Sequence, residues 1–252
     1  MRRLATQVAR IGAALWVAAA GLPAAGAALE LPAGSRIGVI DMSSTDVMHF
    51  HTSRTAKNAF MKTYRVSWPA ESEFTLPIVA QAEGKGFVPV VLKAPDVLRR
   101  NRERYFIQNV RGTRFARDAN AEIAQLAAAE QLQAVIIVVP GLNESPEAVE
   151  GNRLRALPEY VQGWGFTTHD EGNGEPVLFN LTQLLLFEIS PDGPRFRHRE
   201  WGGSYVYAWT SFTPPADLKQ MPPEEIDKLQ PLFKEIVARQ VERLFEQIQP
   251  AS

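Results

Sequence analysis

The chain has 252 residues, 45% of them hydrophobic, 22% charged and 9% aromatic, a composition that supports a packed core and excludes a disordered chain. Its 27 Lys and Arg stand against 28 Asp and Glu, for a formal charge of -1, so bulk charge gives it no means of recruiting nucleic acid and no such partner is expected. The absence of cysteine excludes a disulfide framework, a thiolate metal site, an iron–sulfur cluster, a cysteine nucleophile and a lipidated cysteine.

Arg2, Arg3 and Arg10 precede an apolar run from Ile11 to Leu22, followed by Pro23 and a series of small residues. That order is the order of a secretory signal peptide. Ala25-Gly26-Ala27 fits the small-x-small cleavage rule and predicts a mature chain of 225 residues that begins at Ala28. The run is well short of the roughly 20 apolar residues that a spanning helix needs. No later segment is predicted to span either, since Leu178 to Ile189 is broken by Asn180, Thr182, Gln183 and Glu188. The expectation is residues 1–27 as signal peptide and 28–252 as one α/β domain, exported, and periplasmic if the source is Gram-negative.

The mature part opens with Arg36 to Ile40, a β-branched run that ends at Asp41 before the turn formers Ser43 to Asp46. Val47 to Thr52 then alternates, with Val47, His49 and His51 on one face, and is predicted to be the second arm of a hairpin spanning Ser35 to Thr52. Ala59 to Ser67 supplies a third strand. Phe74, Ile78, Val79 and Ala82 have helical spacing over 70–83, with Gly84 and Gly86 as stop signals and Pro77 weakening the early part. Phe87 to Leu92 follows as a strand. The same step recurs where a helix from Ala119 to Gln131 leads into Ala134 to Val139, an unbroken apolar strand that should be buried on both faces. The polar loop Leu142 to Ala156 should hang from the carboxyl edge of the sheet, where open α/β sheets place ligands.

Strands about 159–168 and 177–190, separated by the turn-rich 169–176, read as a hairpin, and Pro191-Asp192-Gly193 leads to a further strand over Arg195 to Trp201. From Ile226 to Ile248 the apolar positions keep to one helix face, with Pro222-Pro223 suited to a first turn and Pro231 expected to kink or restart the helix. The polar face mixes Glu235, Arg239, Glu242 and Arg243, unlike a basic membrane-surface helix. The predicted architecture is therefore α/β (α+β): one mixed sheet with an N-terminal hairpin, two helix–strand units, an antiparallel meander and a long C-terminal amphipathic helix.

Arg36 to Ile40, Lys85 to Leu92 and Glu122 to Val139 together resemble the small α/β domains of bacterial cell-envelope proteins, such as the amino-terminal domain of TolB and the periplasmic part of CsgG. The resemblance covers roughly half of the mature chain and includes no chemical motif. It implies a domain of envelope assemblies, with envelope proteins as partners and no catalytic residues to carry over.

The signatures of phosphate-binding loops, zinc proteases, serine hydrolases and dinucleotide folds are absent from the sequence, and no cofactor is expected. Four constellations remain. The first is a ligand edge of Asp41 with the loop residues Asn143, Glu144 and Arg153, at the strand ends where such a site would form; a hydrolase or metal-binding enzyme working there is the alternative to a binding module. The second is His49-x-His51, two imidazoles on one strand face that need a third ligand to hold a metal and otherwise are half-exposed strand residues. The third is Arg195, Arg197 and Arg199, which alternate along one strand as an anion stripe or as a solvated, protected edge. Finally, Tyr160, Trp164, Phe166, Tyr205, Tyr207, Trp209 and Phe212 form either a recognition surface or the core between helix and sheet.

Overall fold

The computed structural model describes residues 28–53, 55, 57–107, 117–141, 161–170, 176–202 and 206–251. In chain order the strands and helices are β1 (Leu29–Leu31), β2 (Arg36–Asp41), β3 (Asp46–Thr52), β4 (Phe60–Arg65), α1 (Ser72–Gly84), β5 (Val88–Leu92), α2 (Asp96–Arg100) with a π-helical turn at Glu103–Ile107, α3 (Arg117–Glu130), β6 (Ala134–Val139), β7 (Trp164–His169), β8 (Val177–Asn180), β9 (Gln183–Ser190), β10 (Gly193–Trp201), β11 (Val206–Ala208), α4 (Pro223–Asp227), α5 (Leu229–Glu246) and β12 (Ile248–Pro250). The α/β class agrees with the sequence pattern, and so do β2 to β6 and β10 as strands, while β1, β11 and β12 carry no expected counterpart. The single mixed sheet does not agree: the strands form two five-stranded sheets, ordered β10-β9-β6-β2-β5 and β11-β8-β7-β3-β4, and a two-stranded pair of β1 with β12.

The expected Ser35–Thr52 hairpin is likewise replaced. β2 pairs in parallel with β5 on one side and β6 on the other, so neither of its edges is free for β3. The apolar run is the reason, since Ile37, Val39 and Ile40 are all fully buried and want a central position. β3 instead pairs with β4 and β7 in the second sheet.

Period-two alternation divides the first sheet between two cores. Ile37, Val39, Ile136, Val138, Leu184 and Leu186 face α1 and α5, while Ile40, Val135, Ile137, Val139, Leu185 and Phe187 face the layer that holds Leu98 of α2 and Ile123 of α3. Each such side chain contributes about 1.5–3 kcal/mol by leaving water. The second sheet adds Val47, Trp164, Phe166 and Leu178 to the α1–α5 core, where the Trp164 ring stacks on Phe233 of α5 with centroids 4.1 Å apart. Trp164, Phe166, Trp209 and Phe212 thus belong to this core; Tyr160 and Tyr205 lie outside the described residues.

The strand expected over 177–190 is two strands in different sheets. At the crossing, the Asn180 side chain accepts from the Thr182 N–H at 2.9 Å and donates to Gln240 Oε1 at 2.9 Å. Gln240 Nε2 donates in turn to the carbonyls of Thr182 (2.8 Å) and Glu200 (3.1 Å). The Asn180 and Gln240 side chains have no solvent exposure, so α5 is pinned to the sheet junction by a buried polar network. Gln240→Leu keeps the volume but orphans the Asn180 amide, and should lower unfolding stability by about 2 kcal/mol in urea titrations, with no change in secondary structure.

The helices follow their signals. Pro223 opens α4 behind Pro222, and the chain restarts as α5 at Leu229, which puts Pro231 in a first turn where its missing N–H costs nothing. Lys85 Nζ donates to the carbonyls of Phe245 (2.7 Å) and Ile248 (2.8 Å), closing the carboxyl end of α5. None of the described helices is long and apolar enough to cross a membrane.

Candidate functional site

The parallel strands β5, β2 and β6 end together, and Asp41 is the last residue of β2. Beyond it the Met42 N–H bonds to Val138 O at 2.8 Å, the Ser43 N–H donates to Asp41 Oδ1 at 2.8 Å, and Thr75 Oγ1 in the first turn of α1 donates to Oδ2 at 3.4 Å. Arg102 Nη1 reaches Met42 O at 3.3 Å, and Trp164 Nε1 reaches Ser44 O at 3.1 Å. Burial is the main reason the Asp41 carboxyl is raised from 3.8 to about 6; the Ser43 and Thr75 donors oppose that rise and Glu71 adds to it. Asp41 is thus a half-buried acid able to change protonation near neutrality at a sheet's carboxyl edge. Asn143, Glu144 and Arg153, its expected companions in the loop Leu142 to Ala156, lie outside the described residues.

The histidine pair is placed differently from its half-exposed expectation. His49 and His51 are buried on the inner face of β3. The ring of His49 stacks on Phe166 with centroids 4.3 Å apart and meets Phe60 edge-on at 5.0 Å. Its Nε2 lies 2.7 Å from Thr168 Oγ1, and the same hydroxyl lies 2.7 Å from His51 Nδ1. His51 Nε2 is 2.9 Å from Asp170 Oδ1, and Ser53 donates to the other oxygen of Asp170. β7 supplies Thr168 because it runs parallel to β3 with His51 opposite Thr168. Burial, with His51 and Lys62 adding to it, drives His49 down to about 3, so its ring is neutral. Asp170 is held below the ordinary carboxylate value, chiefly by the Ser53 and His51 donors.

Among the described residues no three His, Asp or Glu side chains converge as a metal site, and three of the four ring nitrogens of His49 and His51 are already engaged. Asp170, His51 and Thr168 have the contacts of an acid–base–nucleophile set. Thr168 is only 3% exposed and its oxygen is shared by two rings, which leaves no approach for a substrate carbonyl.

The arginine stripe is split. A bulge between Phe196 and His198 sets Arg197 out of register, where it pairs with Glu188 at 3.5 Å. Arg195 stands opposite Glu188, but Arg199 stands opposite Leu185 and therefore on the other face. Three alternating arginines are a stripe only if the pleat is unbroken, and a one-residue bulge reverses it. β10 is an edge strand, the position at which bulges and charges protect a sheet.

Sequence reasoning did not find Thr168 and Asp170, because the signal that joins them to His51 is a parallel pairing across more than a hundred positions. It also missed an apolar surface. Among the described residues the exposed large hydrophobics are Met61, Leu76 (65%), Val88 (43%) and Val91 (59%), and the last three lie on the neighbouring elements α1 and β5. Val91 is in register with Val39 and so stands beside Leu76 on the α1 side of the sheet, whereas Val88 shares the face of Val90 and Leu92 and stands on the other side. β5 is an edge strand, and its Val88 N–H points inward to Ser35 O. Pro89, the next residue, therefore turns its missing N–H to the open edge.

No family model matches the chain, and no curated protein matches it. Among solved structures it is similar to the PelC dodecamer from Paraburkholderia phytofirmans, at TM-score 0.34 and 10% identity, over 90% of this chain and 95% of that one. It is also similar to the hypothetical protein CT253 from Chlamydia trachomatis, at TM-score 0.37 and 12% identity, over 83% of this chain and 96% of that one.

Proposed function

We propose that the chain is an exported binding or assembly module of the bacterial cell envelope, without a reaction of its own, that engages an envelope protein through the α1–β5 face. The observation that carries this reading is the placing of Leu76 on α1 and Val91 on the α1 side of β5, the two most exposed large apolar side chains among the described residues. Pro89 removes a donor from the open edge of β5, so the partner is held by side chains rather than by an added strand. Export is supported by the basic, apolar and small-residue order of 1–27, and β1 begins just past the expected cleavage point, so the β1–β12 pair uses only residues that the mature chain keeps.

Leu76→Glu with Val91→Glu, both at exposed positions, should leave the thermal melt within a few degrees of the parent and abolish partner retention. The readout is a photo-crosslinking residue at Ala80, exposed one turn beyond Leu76 on α1, in the full chain in its exporting cell. Adducts with one envelope protein that vanish in the double variant support the reading; no adduct, or adducts indifferent to the substitutions, sinks it. The competing reading, a hydrolase at the Asp41 edge, is favoured by one observation, the raised carboxyl of Asp41. Turnover of ester or phosphoester substrates that is lost in Asp41→Asn would replace the first reading.

A further inference from the structure

The chain Asp170–His51–Thr168–His49, exposed at Asp170 and buried at the other three, has a direction, and simple donor counting fixes it. The Asp170 carboxylate accepts, so His51 Nε2 carries hydrogen. When His51 is neutral its Nδ1 is bare and must accept from Thr168 Oγ1. The Thr168 oxygen then accepts from His49, which places the hydrogen of His49 on Nε2 and leaves Nδ1 bare. That Nδ1 is a buried nitrogen with no hydrogen-bond partner. A bare lone pair is the cheaper of the two ways to leave it unpaired, since an unmet N–H donor in an aromatic interior forfeits a stronger bond to water.

A proton gained by His51 reverses the order. Both nitrogens of His51 then donate, Nε2 to Asp170 and Nδ1 to Thr168. The Thr168 hydrogen has no third partner among the described residues and must turn to His49 Nε2, which can accept only if the hydrogen of His49 has moved to Nδ1. We propose that these four residues form a proton-coupled relay, in which charging His51 reverses the Thr168 hydroxyl and switches His49 between its two neutral tautomers. The balance is one proton taken from water. In the charged state His51 carries a hydrogen on each ring nitrogen, Thr168 keeps one that now points to His49, and His49 keeps one that now sits on Nδ1, so the four residues hold one hydrogen more than before and no bond to carbon changes.

The relay joins the exposed ends of β3 and β7, where Ser53 and Asp170 meet, to a ring packed among Phe60, Tyr64 and Phe166. The other titratable or charged groups facing it are His169 on β7, Lys62 and Tyr64 on β4, and Lys219 and Asp217 from the segment before α4; Lys62 and Tyr64 both reach the Lys219 carbonyl, and Lys219 lies 5.6 Å over the Phe60 ring. The inference is independent of the α1–β5 partner.

The test is long-range 1H–15N correlation of ring nitrogens in the full chain labelled at its four histidines, followed from pH 8 to 5. The expected result is that His49 carries its hydrogen on Nε2 at high pH and on Nδ1 at low pH, staying neutral, with the exchange centred on the titration of His51. Thr168→Val removes the hydroxyl and should leave His49 indifferent to His51, whereas Thr168→Ser should keep the coupling. The proposal is overturned if His49 keeps one tautomer while His51 titrates, if His49 itself becomes doubly protonated in that range, or if coupling survives in Thr168→Val. The wild-type spectra decide the matter even where a variant does not fold.

Discussion

Gly165→Ala is expected to cost the protein its fold. A Cβ at that position on β7 would press into the carbonyl oxygen of Met48 on β3, and would lie 2.8 Å from the Met48 carbonyl carbon and 2.9 Å from Phe179 Cζ. Two of those atoms are backbone in the parallel partner, so relief requires the β3–β7 pair to open, and with it the register that seats His49, His51 and Thr168. A loss of more than about 4 kcal/mol places the substitution among the most damaging single changes. Gly38→Ala on β2 is the control. There the nearest atom is Leu132 Cδ1 at 2.6 Å, the free end of a side chain that can rotate away, so the cost should be about 1–2 kcal/mol. Soluble yield and urea unfolding of the two variants decide it; equal behaviour would mean that the close strand approach is not what demands glycine at 165.

Asp41→Asn should make the protein acid-sensitive over a range where the parent is not. Asp41 in the folded chain titrates at about 6 rather than 3.8, so its stabilising contribution is fully present below about pH 3.8 and is lost as pH rises through about 6. His49 has the opposite sign. Its folded value of about 3 against 6.5 means that the unfolded chain gains a proton the folded chain refuses, and stability falls as pH drops from about 6.5 towards 3. Each slope is about 1.4 kcal/mol per pH unit, and between about pH 6 and 4 they offset one another. His169, lowered by burial and by His51, adds a contribution on the His49 side. Asp170, lowered by its donors, acts below the ordinary carboxylate value and so beneath this window. Removing the Asp41 carboxyl therefore steepens the fall between pH 6 and 4 by about 1.4 kcal/mol per unit relative to the parent, about 3 kcal/mol in all. Unfolding free energies at pH 4, 5 and 6 measure the difference in slope, and parallel curves for parent and variant would show that Asp41 titrates in the folded chain as it does in the unfolded.

Local pattern carried much of the fold. The unbroken Ala134 to Val139 run predicted a strand buried on both faces and is one, because a central strand has apolar neighbours in both directions. The Pro222-Pro223 start and the restart near Pro231 were legible because proline acts on its own backbone. Pairing was not legible in the same way. Ile37 to Ile40 and Val47 to Thr52 are both good strands joined by a good turn, yet the first is claimed on both edges by partners far along the chain. Thr182, which reads as a polar break within a strand, is where the chain changes sheets, and the partner that makes this affordable, Gln240, is 58 positions away. For the same reason Asp41 could be placed at a strand end from sequence, whereas the burial that raises its carboxyl could not.

The parallel pairing of β1 with β12 joins nearly the first described residues to nearly the last, with Leu29 opposite Ile248 and the Ala251 N–H bonded to Leu31 O. A chain made from its amino end therefore holds its opening strand idle until the closing one exists, and Leu29 and Leu31, both buried in the finished molecule, stay in water for that time. Closure of so long a loop is among the slowest contacts to form. A copy that stops short of residue 248 has no partner for β1 and displays those leucines permanently, so a truncated product is marked at the opposite end from its defect, in a form that proteases and chaperones of exposed apolar segments can read.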